Sequence, residues 1–157
     1  MKIKSKQLIL FFTLFIGTFS LSQIGSYLIE KSIPVGVSIV LSPYLYFTHV
    51  RNFGGIFGLF QGHGWIFVLF SAVMMLGLIV YIIKGEKFTT LSYICFGFII
   101  GGGFSNVFDR FIYGSVIDFI DVKGIPLWHF VFNTADVFIH VGIWPMLLGQ
   151  LLNKEKK

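Results

Sequence analysis

The chain has 157 residues, 55% of them hydrophobic and only 12% charged, with a net charge of +5 and a mean hydropathy of +0.85. A soluble domain of this length carries roughly twice that share of charge, so composition excludes an ordinary soluble globule. Its high content of Phe, 20 residues in all, also excludes a disordered chain.

In chain order, the first element is the uncharged run Leu8 to Leu28. A helix that crosses the hydrocarbon core needs about 20 mostly apolar residues, and this run supplies them. It reads as a span rather than a cleaved leader. The apolar run is too long for a leader, and the small residues Ser20 and Ser22 form no A-x-A site. A first outer segment, residues 29–64, contains Pro34, Gly36 and Pro43 and an aromatic and β-branched run from Tyr44 to Val50. That run predicts short strands lying on the membrane surface. The second span, Trp65 to Ile83, is nearly all Val, Ile, Leu, Phe and Met. A third, Phe88 to Phe108, is uncharged and Gly-rich, and its Gly97-x-x-x-Gly101 spacing points to close packing on a neighbouring helix. A second outer segment, residues 111–131, holds an extended stretch from Ser115 to Val122. The fourth span, Val137 to Asn153, is shorter and carries Pro145, which predicts a kink. The fold class is therefore an α-helical membrane protein. Four transmembrane helices carry a small extracytoplasmic β-rich cap, and residues 1–157 form one integral-membrane domain.

Orientation follows from Lys and Arg placement. Lys2, Lys4, Lys6, Lys84, Lys87, Lys154, Lys156 and Lys157 fall on one side of a four-span arrangement, against Lys31, Arg51, Arg110 and Lys123 on the other. Both termini are expected on the cytoplasmic side. The basic excess is then an orientation signal and gives no reason to expect nucleic acid.

Glu30, Glu86 and Glu155 sit at span edges or tails, whereas Asp109, Asp118, Asp121 and Asp136 all lie between the end of the third span and the start of the fourth. Ionisable groups bordering hydrocarbon suggest function by default. Two carboxylates held close in a low-dielectric site cannot both ionise, so one acts as acid and the other as base. Such a pair can activate water and polarise a peptide carbonyl. Each aspartate also has a plain structural reading. Asp109 and Arg110 form an ion pair, Asp136 caps the fourth helix, Asp118 is a turn acid, and Asp121 is a solvated surface acid. Other chemistries lack their residues. There is no Gly-x-Ser-x-Gly elbow or His-Glu-x-x-His, and His49, His63, His129 and His140 have no metal-ligand spacing. His63 and His129 are expected in the polar cap and His140 in a bond within the fourth span. Cys95, the sole cysteine, is expected to pack as a small hydrophobe.

Four boxes carry a resemblance. They are Arg51-Asn52-Phe53-Gly54-Gly55-Ile56-Phe57-Gly58, Gly102-Gly103-Phe104-Ser105-Asn106-Val107-Phe108-Asp109-Arg110, Gly114-Ser115-Val116-Ile117-Asp118-Phe119 and Phe132-Asn133-Thr134-Ala135-Asp136. In that order, over nearly the whole chain, they resemble the motifs of the lipoprotein signal peptidases (signal peptidase II), bacterial inner-membrane aspartyl peptidases. The resemblance implies removal of the signal peptide from prolipoproteins just before the diacylglyceryl-modified Cys. It implies Asp118 and Asp136 as the catalytic pair. Asn52, Gly54, Arg110 and Asn133 would bind substrate, with Asn106 and Asp109 in support. It implies no metal and no organic cofactor, prolipoprotein and membrane lipid as partners, a monomer, and an active site at the outer face of the inner membrane. One departure stands out. The family carries Asp-x-x-x-Lys in the first span, and the corresponding stretch here is Ser22-Gln23-Ile24-Gly25-Ser26, or in a register one residue later Gln23 and Tyr27. Either register lacks the charged pair. Ser105 stands where the family has Gly. A non-catalytic or specialised paralogue that binds lipidated substrate or a globomycin-like ligand is the alternative. An ion-coupled transporter fits less well, because no charge is placed at mid-bilayer.

Overall fold

The computed structural model describes residues 5–55, 60–84 and 88–154. Lys2, Lys4, Lys87, Lys156, Lys157, Glu86, Glu155 and the Ile56-Phe57-Gly58 end of the first box lie outside them. The described residues form four helices and a four-stranded antiparallel sheet, in the order α1 (Ser5–Ser32), β1 (Ser38–Ser42), β2 (Leu45–Asn52), α2 (Gly64–Lys84), α3 (Thr90–Tyr113), β3 (Val116–Val122), β4 (Val131–Phe132) and α4 (Thr134–Lys154). Three helices are long and apolar enough to cross a membrane: α1, α2 over Gly64–Ile82, and α3. In α4 the apolar stretch, Thr134–Gly149, is shorter and includes Pro145.

Both helices that lead into the sheet run further than the apolar runs alone suggest. After Leu28 nothing breaks a helix until Ile33-Pro34, so α1 continues to Ser32. With 28 residues at about 1.5 Å each, α1 is longer than a typical hydrocarbon core is thick. Past Phe108, α3 extends to Tyr113 and stops at Gly114, whose φ of 73° closes the helix with its N–H on the Arg110 carbonyl. Glycine adopts this left-handed cap without the Cβ clash other residues meet. At the opposite end Thr89 caps α3, its hydroxyl accepting from Ser92 N–H.

α3 is the central helix, with α1 and α4 packed along it and α2 leaning on it. Glycines set the approach. A Cβ on Gly101 would fall 1.8 Å from Thr18 Oγ1 and 2.8 Å from the Phe15 carbonyl oxygen. One on Gly97 would fall 2.8 Å from Leu14 Cβ, so the Gly97-x-x-x-Gly101 face is the α1 contact. Gly102 and Gly142 do the same between α3 and α4. Phe11, Ile82, Tyr93, Phe96 and Ile100 form one buried cluster, and Cys95 is buried beside it as a small apolar side chain.

The sheet has the order β1-β2-β3-β4. It is fed by the C-terminal ends of α1 and α3 and leads into α2 and α4, so it caps one end of the helices. Ile117 and Phe119, on one face of β3, pack on Ile29 and Ile33 at the end of α1. Asp118 necessarily faces the other way. Val50 pairs with Asp118 and Asn52 with Val116, which makes Asn52 and Asp118 diagonal neighbours on one face.

Candidate functional site

Asp118 and Asp136 converge through a shared set of amides. Asp118 comes from β3 and is 5% exposed. Its Oδ1 accepts from Asn133 Nδ2 at 2.8 Å and its Oδ2 from Asn52 Nδ2 at 3.1 Å. Asp136 lies in the first turn of α4. Its Oδ1 accepts from Asn106 Nδ2 at 2.9 Å and its Oδ2 from the Asn133 backbone N–H at 3.2 Å. Asn133 Nδ2 also donates to Asn106 Oδ1 at 3.0 Å, which closes a ring of Asn133, Asn106 and Asp136 to which Asp118 is joined through Asn133.

The local sequence explains the ring. Asn133 Oδ1 accepts from Asp136 N–H at 3.0 Å while Asp136 Oδ2 accepts from Asn133 N–H. This is a reciprocal capping box across the start of the helix. Asn133 is therefore the N-cap, and the structural reading of Asp136 as the cap is corrected. The box fixes the Asp136 rotamer and leaves the Asn133 amide free to reach Asp118. Asn52 is held in turn by the loop after β2. Its Oδ1 accepts from Gly54 N–H at 3.0 Å and Gln61 Nε2 at 3.3 Å, and its Nδ2 also donates to the Gly55 carbonyl.

Burial pushes the Asp118 carboxyl up from its ordinary 3.8 to about 7, and the neighbouring Asp136 charge adds to the rise. The Asn52 and Asn133 amides pull the other way and do not offset it. Near neutral pH this carboxyl therefore exchanges a proton readily, as a general acid or base must.

Arg110 does not pair with Asp109. Its Nη2 donates to the Gly54 carbonyl and its Nη1 to the Asn106 carbonyl at 3.3 Å. The reason is helical geometry, since adjacent residues project about 100° apart and Asp109 faces α1 instead. Arg110 lines a cleft of about 330 Å³ with Phe53, Gly64, Trp65 and Phe111. Asp109 is 1% exposed and accepts from Gln23, Ser26 and the Ile117 N–H.

Asp121 is also corrected. It is 6% exposed, accepting from Thr48 Oγ1 at 2.7 Å and pairing with Lys123 Nζ at 2.8 Å, because β3 lies between β2 and β4. It shares no hydrogen-bond partner with Asp118. His63 and His129 are exposed in the outer segments, and His140 bonds the Asp136 carbonyl at 2.7 Å. His49 is buried, with Nδ1 2.5 Å from the Ile33 carbonyl and Nε2 3.3 Å from Glu30, which also pairs with Arg51. Among the described residues no group of three His, Cys, Asp or Glu is placed to hold a metal ion. Gln23, Gln61 and Ser105 join the polar network although none was singled out as a site residue. Their contacts cross 8 to 86 positions of sequence, beyond the reach of spacing rules.

The fold is that of a helical membrane protein with a small sheet, and two amide-bridged aspartates lie where bundle and sheet meet. Residues 14–152 match the family described as Signal peptidase (SPase) II, and the chain belongs to that family of peptidases. The lipoprotein signal peptidase of Brevibacillus brevis is 34% identical over 139 residues, which cover 87% of this chain and 91% of that protein. The lipoprotein signal peptidase of Listeria monocytogenes serotype 4a is 30% identical over 151 residues, 93% of this chain and 96% of that one. A solved bacterial membrane enzyme superposes with a TM-score of 0.86 over 99% of this chain and 93% of its own, at 22% identity, which is a likeness of fold.

Proposed function

We propose that the chain is an intramembrane aspartyl endopeptidase that removes the signal peptide from diacylglyceryl-modified prolipoproteins, cutting just before the lipidated Cys. The observation that carries this reading is the Asp118–Asn133–Asn106–Asp136 hydrogen-bond network, which holds two carboxylates from different elements in one buried site.

One carboxylate is ionised and takes a proton from a water whose oxygen attacks the scissile carbonyl carbon. The other is protonated and donates to the carbonyl oxygen, giving a tetrahedral gem-diol. Collapse breaks the C–N bond. The amine of the lipidated Cys takes the proton held by the first carboxylate, the second carboxylate takes back a hydroxyl proton of the gem-diol as the C=O bond re-forms, and the signal peptide leaves with a new carboxyl group. The pair titrates as a unit, so acid and base belong to the dyad rather than to either member. This chemistry uses neither metal nor organic cofactor. Asn52 and Asn133 orient Asp118, and Asn106 orients Asp136. Arg110 and the Gly54 backbone, bonded to each other, form the wall where the substrate backbone lies. The helices accommodate the signal helix and lipid tails at the outer face of the cytoplasmic membrane, with both termini inside and the chain acting as a monomer.

Complementation tests this reading. A bacterial strain lacking its lipoprotein signal peptidase, supplied with this chain, should process its prolipoproteins, and the same strain carrying Asp118→Asn or Asp136→Asn should not. Full processing by either variant, inserted at normal level, would sink the assignment.

A further inference from the structure

α1 lacks the charged pair that the resemblance leads one to expect, yet its buried face is polar where it meets α3. Ser22 and Ser26 are 1% and 3% exposed, and Gln23 lies between them. Gln23 Nε2 donates to Asp109 Oδ1 at 2.8 Å and to Ser105 Oγ at 2.8 Å. Ser26 Oγ donates to Asp109 Oδ2 at 2.9 Å. The same Oδ2 accepts the backbone N–H of Ile117 at 3.2 Å. Among the described residues no Lys, Arg or His lies within ion-pair distance of Asp109. A buried carboxylate without a cation needs several hydrogen-bond donors to be tolerable. Here two come from α1 and one from β3.

The third donor gives the arrangement its consequence. Ile117 is wholly buried and immediately precedes Asp118. Asp109 thus fixes how far β3 sits from α3, at the residue next to the candidate acid. The remaining neighbours of Asp118, namely Asn52 and Asn133, hold only its side chain. Its backbone position rests on the β2 pairing at Val50 and Arg51, on the packing of Ile117 and Phe119 against the end of α1, and on this link.

We propose that Gln23 and Ser26 are positioning residues for Asp118, acting through Asp109 and the Ile117 backbone. Neutral donors on α1 do the bracing that a charged residue would otherwise supply, and Ser105 anchors Gln23 in place. This inference rests on the catalytic reading of Asp118. Losing either donor leaves a buried carboxylate oxygen under-bonded, and Asp109 relaxes toward whatever donors remain. β3 then shifts by a fraction of an ångström, enough to misalign a reacting group.

The test uses the full chain in detergent micelles, with turnover of a lipidated prolipoprotein as the readout. Ser26→Ala and Gln23→Met should each lower kcat roughly tenfold with KM within twofold. Their thermal transitions, followed by tryptophan fluorescence, should stay close to the wild type. Ser26→Thr, which keeps the hydroxyl, should recover most of the rate. In an Asp109→Asn background the Ser26→Ala change should have no further effect on kcat. The inference is overturned if both Ser26→Ala and Gln23→Met keep kcat within twofold while Asp118→Asn is inactive. It is equally overturned if their losses follow thermal stability or KM alone. An active Asp118→Asn would instead remove the catalytic reading on which the inference rests.

Discussion

Replacing Asp118 by Asn should change stability with a sign that reverses across neutral pH. In the folded chain the carboxyl is raised from 3.8 to about 7 by burial and by Asp136. A rise of about three pH units corresponds to about 4 kcal/mol, at about 1.36 kcal/mol per unit. An acid whose folded value is raised is more protonated folded than unfolded between the two values. The wild type therefore keeps its full stability below about 4 and loses it as pH climbs toward 7. Asn at this position carries no titration. It does place an NH₂ against the amide of Asn52 or Asn133, both of which donate to Asp118. That leaves a pH-independent cost of about 1–3 kcal/mol. The variant should therefore melt below the wild type at pH 4 and above it at pH 8. For a chain of this size each kcal/mol moves the midpoint by about 2–4 °C. The difference between the two proteins should swing by about 8–16 °C over that range. Thermal unfolding in detergent micelles, read by tryptophan fluorescence, measures it. A difference that stays constant from pH 4 to 8 would refute the argument that Asp118 is held at a raised value by its buried site.

Other expectations follow from the same geometry. The rate of cleavage should fall about tenfold per pH unit above roughly 7, as the dyad loses its one proton; a rate flat to pH 9 contradicts this. Asn133→Ala removes the α4 cap, worth about 0.5–2 kcal/mol, and also the amide that joins Asp118 to Asn106. Its loss of kcat should exceed anything its modest loss of thermal stability explains. Gly102→Ala would place a Cβ 2.5 Å from the Ala135 carbonyl oxygen. Backbone cannot yield there, so α4 must shift next to Asp136, with destabilisation of about 1–3 kcal/mol and a larger proportional drop in turnover. Gly77→Ala, where a Cβ meets nothing within 4 Å, should leave both unchanged in the same assays.

Much of the fold was legible because long apolar runs in lipid admit few structures other than helices. Strand propensity in Tyr44 to Val50 and Ser115 to Val122 located β2 and β3 for the same kind of reason: β-branched and aromatic residues fit a pleated surface. Helix ends were less legible. α3 runs to Tyr113 because its stop is the left-handed Gly114, and hydrophobicity, which ends at Phe108, carries no information about a cap. Local patterns also misplaced two acids. Asp109 next to Arg110 suggests an ion pair, but successive helical residues diverge, and the partners of Asp109 are Gln23, Ser26 and Ile117, far away in sequence. Asp121, in an outer segment, reads as a solvated surface acid, but its strand is interior to the sheet. The network that joins Asp118 to Asp136 was half visible. The Asn133-x-x-Asp136 spacing is a capping box that can be read locally, whereas the bridge from Asn133 to Asn106 and Asp118 exists only once α3, α4 and β3 have packed.

The central claim is that Asp118 and Asp136 together perform hydrolysis. Its most direct measurement is turnover of a purified diacylglyceryl-modified prolipoprotein by the purified chain, wild type against Asp118→Asn and Asp136→Asn. Separated signal peptide and mature lipoprotein would be weighed by mass spectrometry. The account predicts a cut immediately before the lipidated Cys by the wild type, and no detectable cut by either variant although both bind substrate. Cleavage by a variant at the wild-type rate, or substrate bound but never cut by the wild type, would contradict it.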